Sequence, residues 1–335
     1  MSGKMDAAER EPRPALIDLT FVICTKDRRE PLLRCLGSIV TAALRSPQMA
    51  TEIVVVDNGS TDDTARAVGE FMSVADVPTQ MLYERTPGLA AARNSGIAAA
   101  RGRLIAFTDD DCIVKPDYVA DLATHWSKAP FDILRGGRVE LGDTRDLPFT
   151  IKTSDHVERY SAGDFPGGFL HGCNFVTSRR VLDMVGGFDQ RFGAGADLKS
   201  AEDTDFLLRG FFAGFPVQYV PNMAIQHFHG RRSASQIEPV ILGYSFGNGA
   251  IFAKHWRRAP WLLKFPYWTL RAAGRQQFRG ARYVIPYGIS EWRLFKANVV
   301  GAVAYWRTAM RRTQDSTIPR TSLLRGEPLP SVPSE

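Results

Sequence analysis

One stretch of this chain, LIAFTDDD at residues 104–111, decides the fold and marks the region where a ligand is expected to bind. Its apolar residues predict a buried strand, which the carboxylates of Asp109, Asp110 and Asp111 follow directly. Like charges this close raise one another's pKa and destabilise a folded chain. A divalent cation bound through carboxylate oxygens would remove the repulsion. The alternative is a solvated acidic turn before the helix that Pro116 opens, where acids suit the helix dipole.

Three earlier segments show the same pattern of a short apolar strand that ends in polar residues. They are Leu19–Cys24, Glu52–Asp57 and Gln80–Tyr83, and helical patterns separate them. This alternation, which continues to about residue 128, predicts an α/β fold with a parallel sheet and helices on both faces. Ligands of such sheets bind at the carboxyl ends of the strands. The polar residues that this arrangement brings together are Thr25, Lys26, Asp27, Arg28, Asp57, Asn58, Ser60, Arg85, Asp109, Asp110 and Asp111.

The pattern is less regular beyond Pro130, where longer loops separate the predicted elements. We expect strands over residues 131–141, 174–177 and 218–220, helices over 178–185 and 203–213, and an irregular loop over 143–168. The last of these strands leads towards two histidines, His227 and His229. No internal repeat is evident, so a repeat architecture is not expected.

The length and composition indicate an ordinary globular protein. A chain of 335 residues with 44% hydrophobic residues is long enough for one large α/β domain and a smaller appendage. Its four cysteines have no paired or zinc-like spacing, so reduced thiols are expected. Residues 1–14 lack the apolar core of a signal peptide, and no run approaches the roughly 20 apolar residues that span a bilayer. We therefore expect a cytoplasmic location.

Residues 231–312 differ chemically from the rest of the chain. They hold 15 Lys and Arg against Glu238 and Glu291, a net charge of +13 that leaves −7 on the remainder. Five of the six tryptophans lie in the same segment. We expect a helical extension peripheral to the inner membrane surface, where anionic lipid attracts each basic residue by ~1 kcal/mol. A dimer interface or nucleic-acid binding are the alternatives; nothing else resembles a nucleic-acid module, so no nucleic-acid partner is expected.

Five motifs, in this order along the chain, resemble the family 2 glycosyltransferases. They are Cys24–Arg28, Val54–Asp62, Gly88–Gly96, Asp109–Asp111 and Ala201–Asp203, and the resemblance spans roughly residues 18–230. It implies the GT-A fold, in which a nucleotide-binding α/β sheet is fused to an acceptor-binding half. It also implies an inverting, metal-dependent transferase that moves a sugar from a nucleoside-diphosphate sugar to the hydroxyl of a glycan or lipid-linked acceptor. Such a reaction would serve cell-envelope or polysaccharide assembly.

With this resemblance the predicted organisation has four parts. Residues 1–15 form a flexible tail, and residues 16–230 form the GT-A domain, with a nucleotide-sugar half at 16–128 and an acceptor half at 129–230. Residues 231–312 form the basic, tryptophan-rich extension, and residues 313–335 form a disordered tail.

The resemblance assigns the donor to the strand ends and to the helix after the third strand. Asp57 would receive the nucleotide base, because a carboxylate accepts a pyrimidine N–H; the alternative for Asp57 is a turn-forming or capping role. Arg93 and Asn94 would lie beside the diphosphate, which suits the donor fork of an arginine. The implied donor-binding set is Thr25, Lys26, Asp27, Arg28, Asp57, Asn58, Arg85, Gly88, Arg93, Asn94, Asp109 and Asp110.

The aspartate triplet resembles the Asp-x-Asp metal motif of the family. Asp111 would contact a Mn²⁺ or Mg²⁺ ion that the donor diphosphate also holds, and Asp109 would lie nearer the ribose. Asp110 is an acid too, so which two of the three ligate stays open at this point. His227 is expected as a further metal ligand, and His229 offers the same chemistry. The cation would stabilise charge on the departing nucleoside diphosphate.

Ala201-Glu202-Asp203 resembles the Glu-Asp motif that supplies the general base of the family. By that match Asp203 removes the proton of the acceptor hydroxyl, which requires a carboxylate within hydrogen-bond reach. The alternative is that both acids only stabilise a helix N-terminus. The implied acceptor-binding residues are Gly172, Asn174 and Glu202, with the glycine allowing a close approach of the sugar.

Two other functions fit parts of the sequence. A sugar nucleotidyltransferase commonly carries a glycine-rich phosphate loop after its first strand, but residues 25–30 contain no glycine. A non-catalytic, membrane-docked nucleotide-sugar binder would not need the acids at 109–111 and 203, all of which are present. The identity of the sugar, the nucleotide and the acceptor does not follow from the sequence.

Overall fold

The N-terminal half forms the parallel sheet that the sequence predicts. The structure, a computed structural model, describes residues 17–128, 130–279 and 286–315. Four parallel strands lie side by side in the order β3-β2-β1-β4. Their bounds are β1 Leu19–Thr25, β2 Thr51–Asp57, β3 Thr79–Tyr83 and β4 Leu104–Asp109. All residues of β2 are buried, as expected of a central strand covered on both faces.

Helices cover both faces of this sheet. They are α1 Arg29–Leu44, α2 Thr64–Met72, α3 Leu89–Ala99 and α4 Tyr118–Trp126. Successive residues of β1 point to opposite faces, so Phe21 joins the core that contains α1 and Val22 joins the core that contains α3. A Cβ on Gly96 of α3 would come within 2.4 Å of Val22, so this alanine-rich helix packs directly against the sheet. The predicted α/β class with helices on both faces is confirmed.

The second half extends the sheet with antiparallel pairings that the sequence did not predict. The remaining strands are β5 Cys112–Val114, β6 Leu134–Gly136, β7 Val139–Leu141, β8 Glu158–Arg159, β9 Asn174–Ser178, β10 Val217–Tyr219 and β11 Ile225–His227. Strand β9 pairs antiparallel with β4, and the full sheet has the order β3-β2-β1-β4-β9-β6-β10-β8. A small second sheet has the order β5-β11-β7.

Three of the predicted elements need correction. The single strand expected over residues 131–141 is two strands in different sheets, because the chain changes sheet at Gly136–Gly137. A Cβ on Gly137 would lie 2.0 Å from the Met223 carbonyl oxygen, so only glycine fits this crossing. The strand near residues 218–220 is followed by a further strand, β11, and the loop over 143–168 contains the short strand β8.

The rest of the chain is helical. It contains α5 Arg179–Val185, α6 Glu202–Phe212, α7 Ala234–His255, a 3-10 turn Pro260–Leu263, α8 Lys264–Arg279 and α9 Glu291–Asp315. Helix α7 contributes Phe246, Ala250 and Ile251 to the same core as α3. Helices α7 and α9 cross in main-chain contact, because a Cβ on Gly301 would lie 1.8 Å from the Phe246 carbonyl oxygen. Within the described ranges, no helix combines the length and hydropathy needed to cross a bilayer.

The predicted tails fall mostly outside the described residues. This applies to residues 1–15 and to 316–335, whereas residues 313–315 belong to α9 instead of the predicted C-terminal tail. The C-terminal part is helical, as expected. The proposed boundary at residue 230 does not separate two cores, since α7 shares a core with the preceding sheet.

Candidate active site

A cavity of about 700 Å³ opens at the carboxyl ends of β1 and β4. It brings together eight residues that the sequence singled out from distant positions: Arg28, Arg93, Asp109, Asp110, Asp111, Glu202, Asp203 and His227. The acids supply sites for a cation or a proton, and the arginines and histidine supply compensating charge. The cavity is therefore the candidate active site.

Asp110 is fully engaged within the protein. Its Oδ2 accepts a hydrogen bond from the Thr25 hydroxyl at 2.8 Å, and its Oδ1 accepts one from Arg28 at 3.0 Å. The residue is 6% exposed, and burial raises its pKa to about 6 against the opposing effect of Arg28. Asp109 and Asp111, the outer positions of the predicted motif, flank it; the Asp109 side chain is the most exposed of the three, whereas Asp111 also contacts Arg28 and His227.

His227 lies beside Asp111 because of the small second sheet. Strand β11 pairs His227 with Cys112, and the Phe228 backbone N–H donates to the Asp111 carbonyl oxygen at 2.9 Å. His227 Nε2 consequently lies 3.3 Å from Asp111 Oδ1. Against the lowering effect of burial, the hydrogen bond to Asp111 raises the pKa of His227 to about 9.

The groups around Asp111 fit a hard divalent cation. Ligand atoms of Asp111, Cys112 and His227 lie within 4.8 Å of one another. Carboxylate oxygen and neutral imidazole nitrogen are both suitable ligands for Mn²⁺, so His227 would release its proton when it ligates the ion. Burial holds the pKa of the Cys112 thiol well above its usual value, so the thiol stays protonated and is a poor ligand. Arg28, which also donates to Asp111 at 2.7 Å, balances the negative charge of the cluster.

Arg93 connects the aspartate triplet to the predicted base. It is 2% exposed, and its guanidinium donates to Glu202 at 2.8 Å, to Asp109 at 3.2 Å and to the Gly172 carbonyl oxygen at 2.9 Å. Burial, with the neighbouring Asp203 charge, raises the pKa of Glu202 to about 7. The Arg93 guanidinium is thus bound to two carboxylates of the protein itself. Its predicted contact with the donor diphosphate stays a prediction.

Asp203 is held at the start of α6 by backbone donors. Its Oδ2 accepts from the Gly172 N–H at 2.8 Å, and its Oδ1 accepts from the Thr204 N–H at 2.6 Å. A Cβ on Gly172 would lie 2.9 Å from Arg93 and 3.1 Å from Asp203. Glycine is therefore required at position 172 because the Arg93 and Asp203 side chains approach the backbone there. We had expected it to allow the close approach of a sugar.

Two predicted binding residues have structural hydrogen bonds instead. Asn174 is 1% exposed, and its amide is bound to the Tyr118 hydroxyl and to two backbone carbonyl oxygens. Asn94 donates to the Phe188 carbonyl oxygen at 2.9 Å and accepts from the Phe188 N–H at 2.7 Å. Neither residue lines the cavity, and the acceptor contact of Asn174 and the diphosphate contact of Asn94 stay predictions.

The loops at the nucleotide end are tied together by their own side chains. Asp27 Oδ1 accepts from the Thr61 N–H at 2.6 Å, and Asp57 Oδ1 accepts from the Ser60 N–H at 2.8 Å. The hydrogen bond from Ser60 gives Asp57 the turn-forming role that was the alternative to base binding, and it occupies one of the two oxygens of the Asp57 carboxylate.

Asn58 joins the loops that follow β2 and β3. It donates to the Glu84 and Thr86 carbonyl oxygens and accepts from the Gly88 N–H at 2.9 Å. Lys26 and Arg85 are exposed. Their predicted donor contacts, like those of Asp57 and Gly88, stay predictions, since none of these residues lines the cavity.

Sequence reasoning missed several residues of the cavity. The missed residues that matter most are Phe149, Phe165, Arg231, Tyr244 and Asn248. His171 also lines the cavity, and it begins the segment 171–174 that resembles the acceptor segment of the family; burial lowers its pKa to about 4, so it is neutral near pH 7. Tyr244 and Asn248 lie one turn apart on α7, a helix that the sequence placed in the extension. No local pattern distinguishes them from other surface residues.

Comparison with known proteins agrees with this geometry. The family described as Glycosyl transferase family 2 matches residues 20–186, about half of the chain, including Arg93 and the aspartate triplet. The chain belongs to glycosyl transferase family 2. The match ends before Asp203 and His227, so the second half of this family 2 site is located by the structure.

Two curated relatives are similar over more than half of this family 2 chain. Glycosyltransferase AglE of Haloferax volcanii is 29% identical over 197 residues, which cover 57% of the chain and 63% of AglE. Succinoglycan biosynthesis protein ExoM of Rhizobium meliloti is 27% identical over 205 residues, which cover 59% of the chain and 63% of ExoM. The chain thus spans less than two thirds of either relative.

A solved structure shows the fold of the family 2 chain. Mannosyltransferase PcManGT from Pyrobaculum calidifontis, in complex with GDP-Man and Mn²⁺, has a TM-score of 0.62 and 19% identity, with 89% of this chain and 90% of that chain covered. At this identity the likeness concerns the fold, and it confirms the predicted GT-A class.

Proposed function

We propose that the chain is an inverting, metal-dependent glycosyltransferase that moves a sugar from a nucleoside-diphosphate sugar to an acceptor hydroxyl. The observation that carries the proposal is the cavity, where Asp203 lies with the outer acids of the triplet and His227. Family membership supports the reaction type, and the GDP-Man and Mn²⁺ of PcManGT support the class of donor and cofactor.

Asp109, Asp111 and His227 are the residues that would hold a Mn²⁺ or Mg²⁺ ion. When bound, such a cation acts as a Lewis acid that stabilises charge on the leaving diphosphate. Asp110 supports these ligands indirectly. Its hydrogen bonds to Thr25 and Arg28 fix the end of β4, beside which Asp109 and Asp111 lie.

Asp203 would act as the general base of a single displacement. The Gly172 and Thr204 N–H groups orient its carboxylate, which takes the proton of the acceptor hydroxyl. The acceptor oxygen forms a bond to the anomeric carbon while the bond from that carbon to the diphosphate oxygen breaks. The nucleoside diphosphate leaves from the opposite face, so the anomeric configuration inverts without a covalent sugar–protein intermediate.

The helical C-terminal part supports a peripheral position on the cytoplasmic face of a membrane. Of the 19 large hydrophobic residues that are exposed in the described chain, 12 lie beyond residue 231, and all of these except Tyr244 lie outside the cavity. An apolar groove of about 380 Å³ lies between α7, α8 and α9 and is lined by residues that include Trp256, Leu263 and Trp306. Exposed cations lie on α8 and α9, among them Lys264, Arg271, Lys296 and Arg307.

A role in polysaccharide or cell-envelope glycan assembly fits this position. The relative ExoM is named as a succinoglycan biosynthesis protein. The acceptor in such assembly is a glycan or a lipid-linked glycan, and either would reach the site from the membrane surface.

Thermal-shift titration with UDP, GDP and a panel of nucleotide sugars, with and without Mn²⁺, tests the donor and the cation together. We expect one nucleoside diphosphate to raise the unfolding midpoint, and to raise it more with Mn²⁺, because a ligand of the folded state stabilises it by mass action. If no nucleoside diphosphate or nucleotide sugar changed the unfolding midpoint, the proposed transferase function would be contradicted. With an acceptor in hand, NMR of the product decides the mechanism, since a retained anomeric configuration contradicts the direct displacement.

Vesicle flotation tests the membrane position. Trp268→Ala combined with Trp292→Ala should reduce binding to vesicles rich in anionic lipid at least fivefold, since both residues are about half exposed on α8 and α9. Tyr83→Ala, at an exposed site on β3, is the matched control and should bind like the unmodified chain. Equal binding of all three proteins, or no binding by any, would contradict a membrane-bound position.

A further inference from the structure

The cavity has a second wall with different chemistry. Besides the carboxylates, the cavity is lined by mostly uncharged residues from the loop at 143–170 and from α7: Phe149, Ile151, Phe165, Gly167, Tyr244 and Asn248. Tyr244 is 42% exposed and Phe165 is 43% exposed, although both are rings of the size that a fold normally buries. Exposed rings that line a cavity together with a few charged and polar groups are typical of a ligand-binding site.

This aromatic wall is fixed in place by packing. The Phe149 and Tyr244 rings are stacked with centroids 5.9 Å apart and an interplanar angle of 16°. The Tyr287 hydroxyl donates to the Pro148 carbonyl oxygen at 2.8 Å, which holds the loop beside Phe149. Phe165 packs edge-on against Phe265 of α8 at 4.9 Å.

Gly167 allows a polar group to reach the same wall. A Cβ there would lie 2.9 Å from the Phe165 ring and 3.1 Å from Asn248 Oδ1. The Asn248 amide therefore lies close to the rings, where it offers both a donor and an acceptor. The wall thus combines flat apolar surface with one neutral hydrogen-bonding group.

The wall is adjacent to the proposed base. Tyr244 and Asp203 both line this cavity. A molecule placed against Tyr244 would therefore have its polar groups within the cavity that contains Asp203.

We propose that Phe149, Phe165 and Tyr244, with Asn248, form the acceptor subsite, and that its occupant is a pyranosyl unit of a glycan. The assignment rests on the proposed transferase function. A pyranose has one face of C–H groups that stacks on an aromatic ring and hydroxyls at its edge for Asn248 and Asp203. A hydrocarbon chain would instead bring apolar surface against the carboxylates that line the same cavity, which is unfavourable.

Saturation-transfer-difference NMR tests the subsite without a known acceptor. The probes are methyl glucopyranoside, galactopyranoside, mannopyranoside and N-acetylglucosaminide, with geranyl phosphate as the lipid probe, in the presence of Mn²⁺ and the nucleoside diphosphate that binds. We expect one pyranoside to receive saturation from aromatic protons, most strongly at the C–H groups of one face. Tyr244→Ala and Phe149→Ala should each reduce that signal at least fivefold, while Tyr244→Phe should keep it because the ring remains.

Tyr267→Ala provides the matched control, since Tyr267 is 55% exposed on α8 and does not line the cavity. Nucleoside-diphosphate affinity within twofold of the unmodified chain shows that each variant is folded; if Tyr244→Ala fails this check, Phe165→Ala takes its place. The subsite is refuted if no pyranoside gives a signal, if the signal survives both alanine variants, or if only geranyl phosphate gives one. Failure of the transferase proposal is a separate result, because then no nucleoside diphosphate binds.

Discussion

The two walls of the cavity are stabilised by different forces. On the acidic wall each buried charge has an opposite partner: Arg93 holds Asp109 and Glu202, and Arg28 holds Asp110 and Asp111. The aromatic wall depends on ring packing and carries one neutral amide. Removing one member of a charge pair leaves its partner buried and unpaired, whereas replacing an aromatic side chain with a smaller one leaves a cavity. The acidic wall should therefore tolerate almost no substitution, and the residues of the aromatic wall should differ between relatives that use different substrates.

The largest effect that this comparison predicts is on turnover. Asp203→Asn should lower the rate of sugar transfer by about 10²–10⁴-fold, because the amide cannot accept the acceptor proton. Nucleoside-diphosphate affinity, measured by calorimetry, should stay within twofold. Asp197→Asn, at an exposed aspartate in the loop before α6, serves as the control. Transfer within tenfold of the unmodified rate would exclude Asp203 as the base.

Loss of Arg93 should have the largest effect on stability. Arg93→Met leaves the Asp109 and Glu202 carboxylates without their shared partner, and removal of one partner of a buried pair costs about 3–5 kcal/mol. Urea unfolding measures the change. Adding Glu202→Gln should restore part of the loss, since one unpaired charge is then removed.

Arg180→Met provides the contrast for Arg93. Arg180 pairs with Asp132 while its side chain is 71% exposed, and exposed pairs contribute about 0–1 kcal/mol. If both arginine variants lose the same stability, the acidic wall is not held by charge pairing.

Replacement of Asp109, Asp110 and Asp111 should affect different properties of the protein. Asp109→Asn and Asp111→Asn should each weaken Mn²⁺ binding to the nucleotide-bound chain at least tenfold, which corresponds to about 1.4 kcal/mol. Asp110→Asn should mainly lower the unfolding midpoint, because its carboxylate is bound to Thr25 and Arg28. Electron paramagnetic resonance of Mn²⁺ gives the affinities. Weaker Mn²⁺ binding in Asp110→Asn than in the other two variants would reverse the assignment.

The smallest predicted effect concerns acid stability. Burial opposes ionisation of Asp205, but the hydrogen bond from His255 and the charges of Lys254 and Arg209 hold the pKa of this carboxyl well below its usual value. A lowered folded-state pKa stabilises the fold above the unfolded value of about 3.9, and that contribution is lost as the pH falls below it. Asp205→Asn should therefore lower the free energy of unfolding more at pH 7 than at pH 3.

Urea unfolding at both pH values provides the measurement for Asp205. Asp183→Asn, at an exposed carboxylate on α5, should show no such difference between the two pH values. An Asp205→Asn loss that is equal at pH 3 and pH 7 would mean that charge pairing with α7 does not stabilise α6.

The nucleotide half could be predicted from the sequence because its signals are local. A parallel strand is a short apolar run, and its carboxyl end is where ligands bind, so residues such as Asp109 and Asp111 follow from pattern and resemblance. The partners of these residues could not be predicted. Arg28 and Arg93 are cations expected beside the donor, but they bind the acids of the protein, and this depends on three-dimensional packing.

The second half was less predictable for the same physical reason. The change of sheet at Gly137 depends on the nearby Met223 carbonyl, which is remote in sequence. Strand β11 has only three residues, too few for an alternating pattern, yet it positions His227 beside Asp111. Tyr244 and Asn248 lie on a helix whose composition indicated a membrane surface.

The stacked contact between Phe149 and Tyr244 limits how this protein can be recombined with its relatives. The loop at 143–170 and helix α7 each supply one ring of the pair, so a chimera that exchanges only one of them would separate a matched surface. Exchange of both segments as a unit keeps the rings paired. Because Gly301 brings α9 into main-chain contact with α7, the smallest transferable module includes α9 as well. Acceptor preference should therefore be inherited from a unit that extends well past residue 186, where the family match ends.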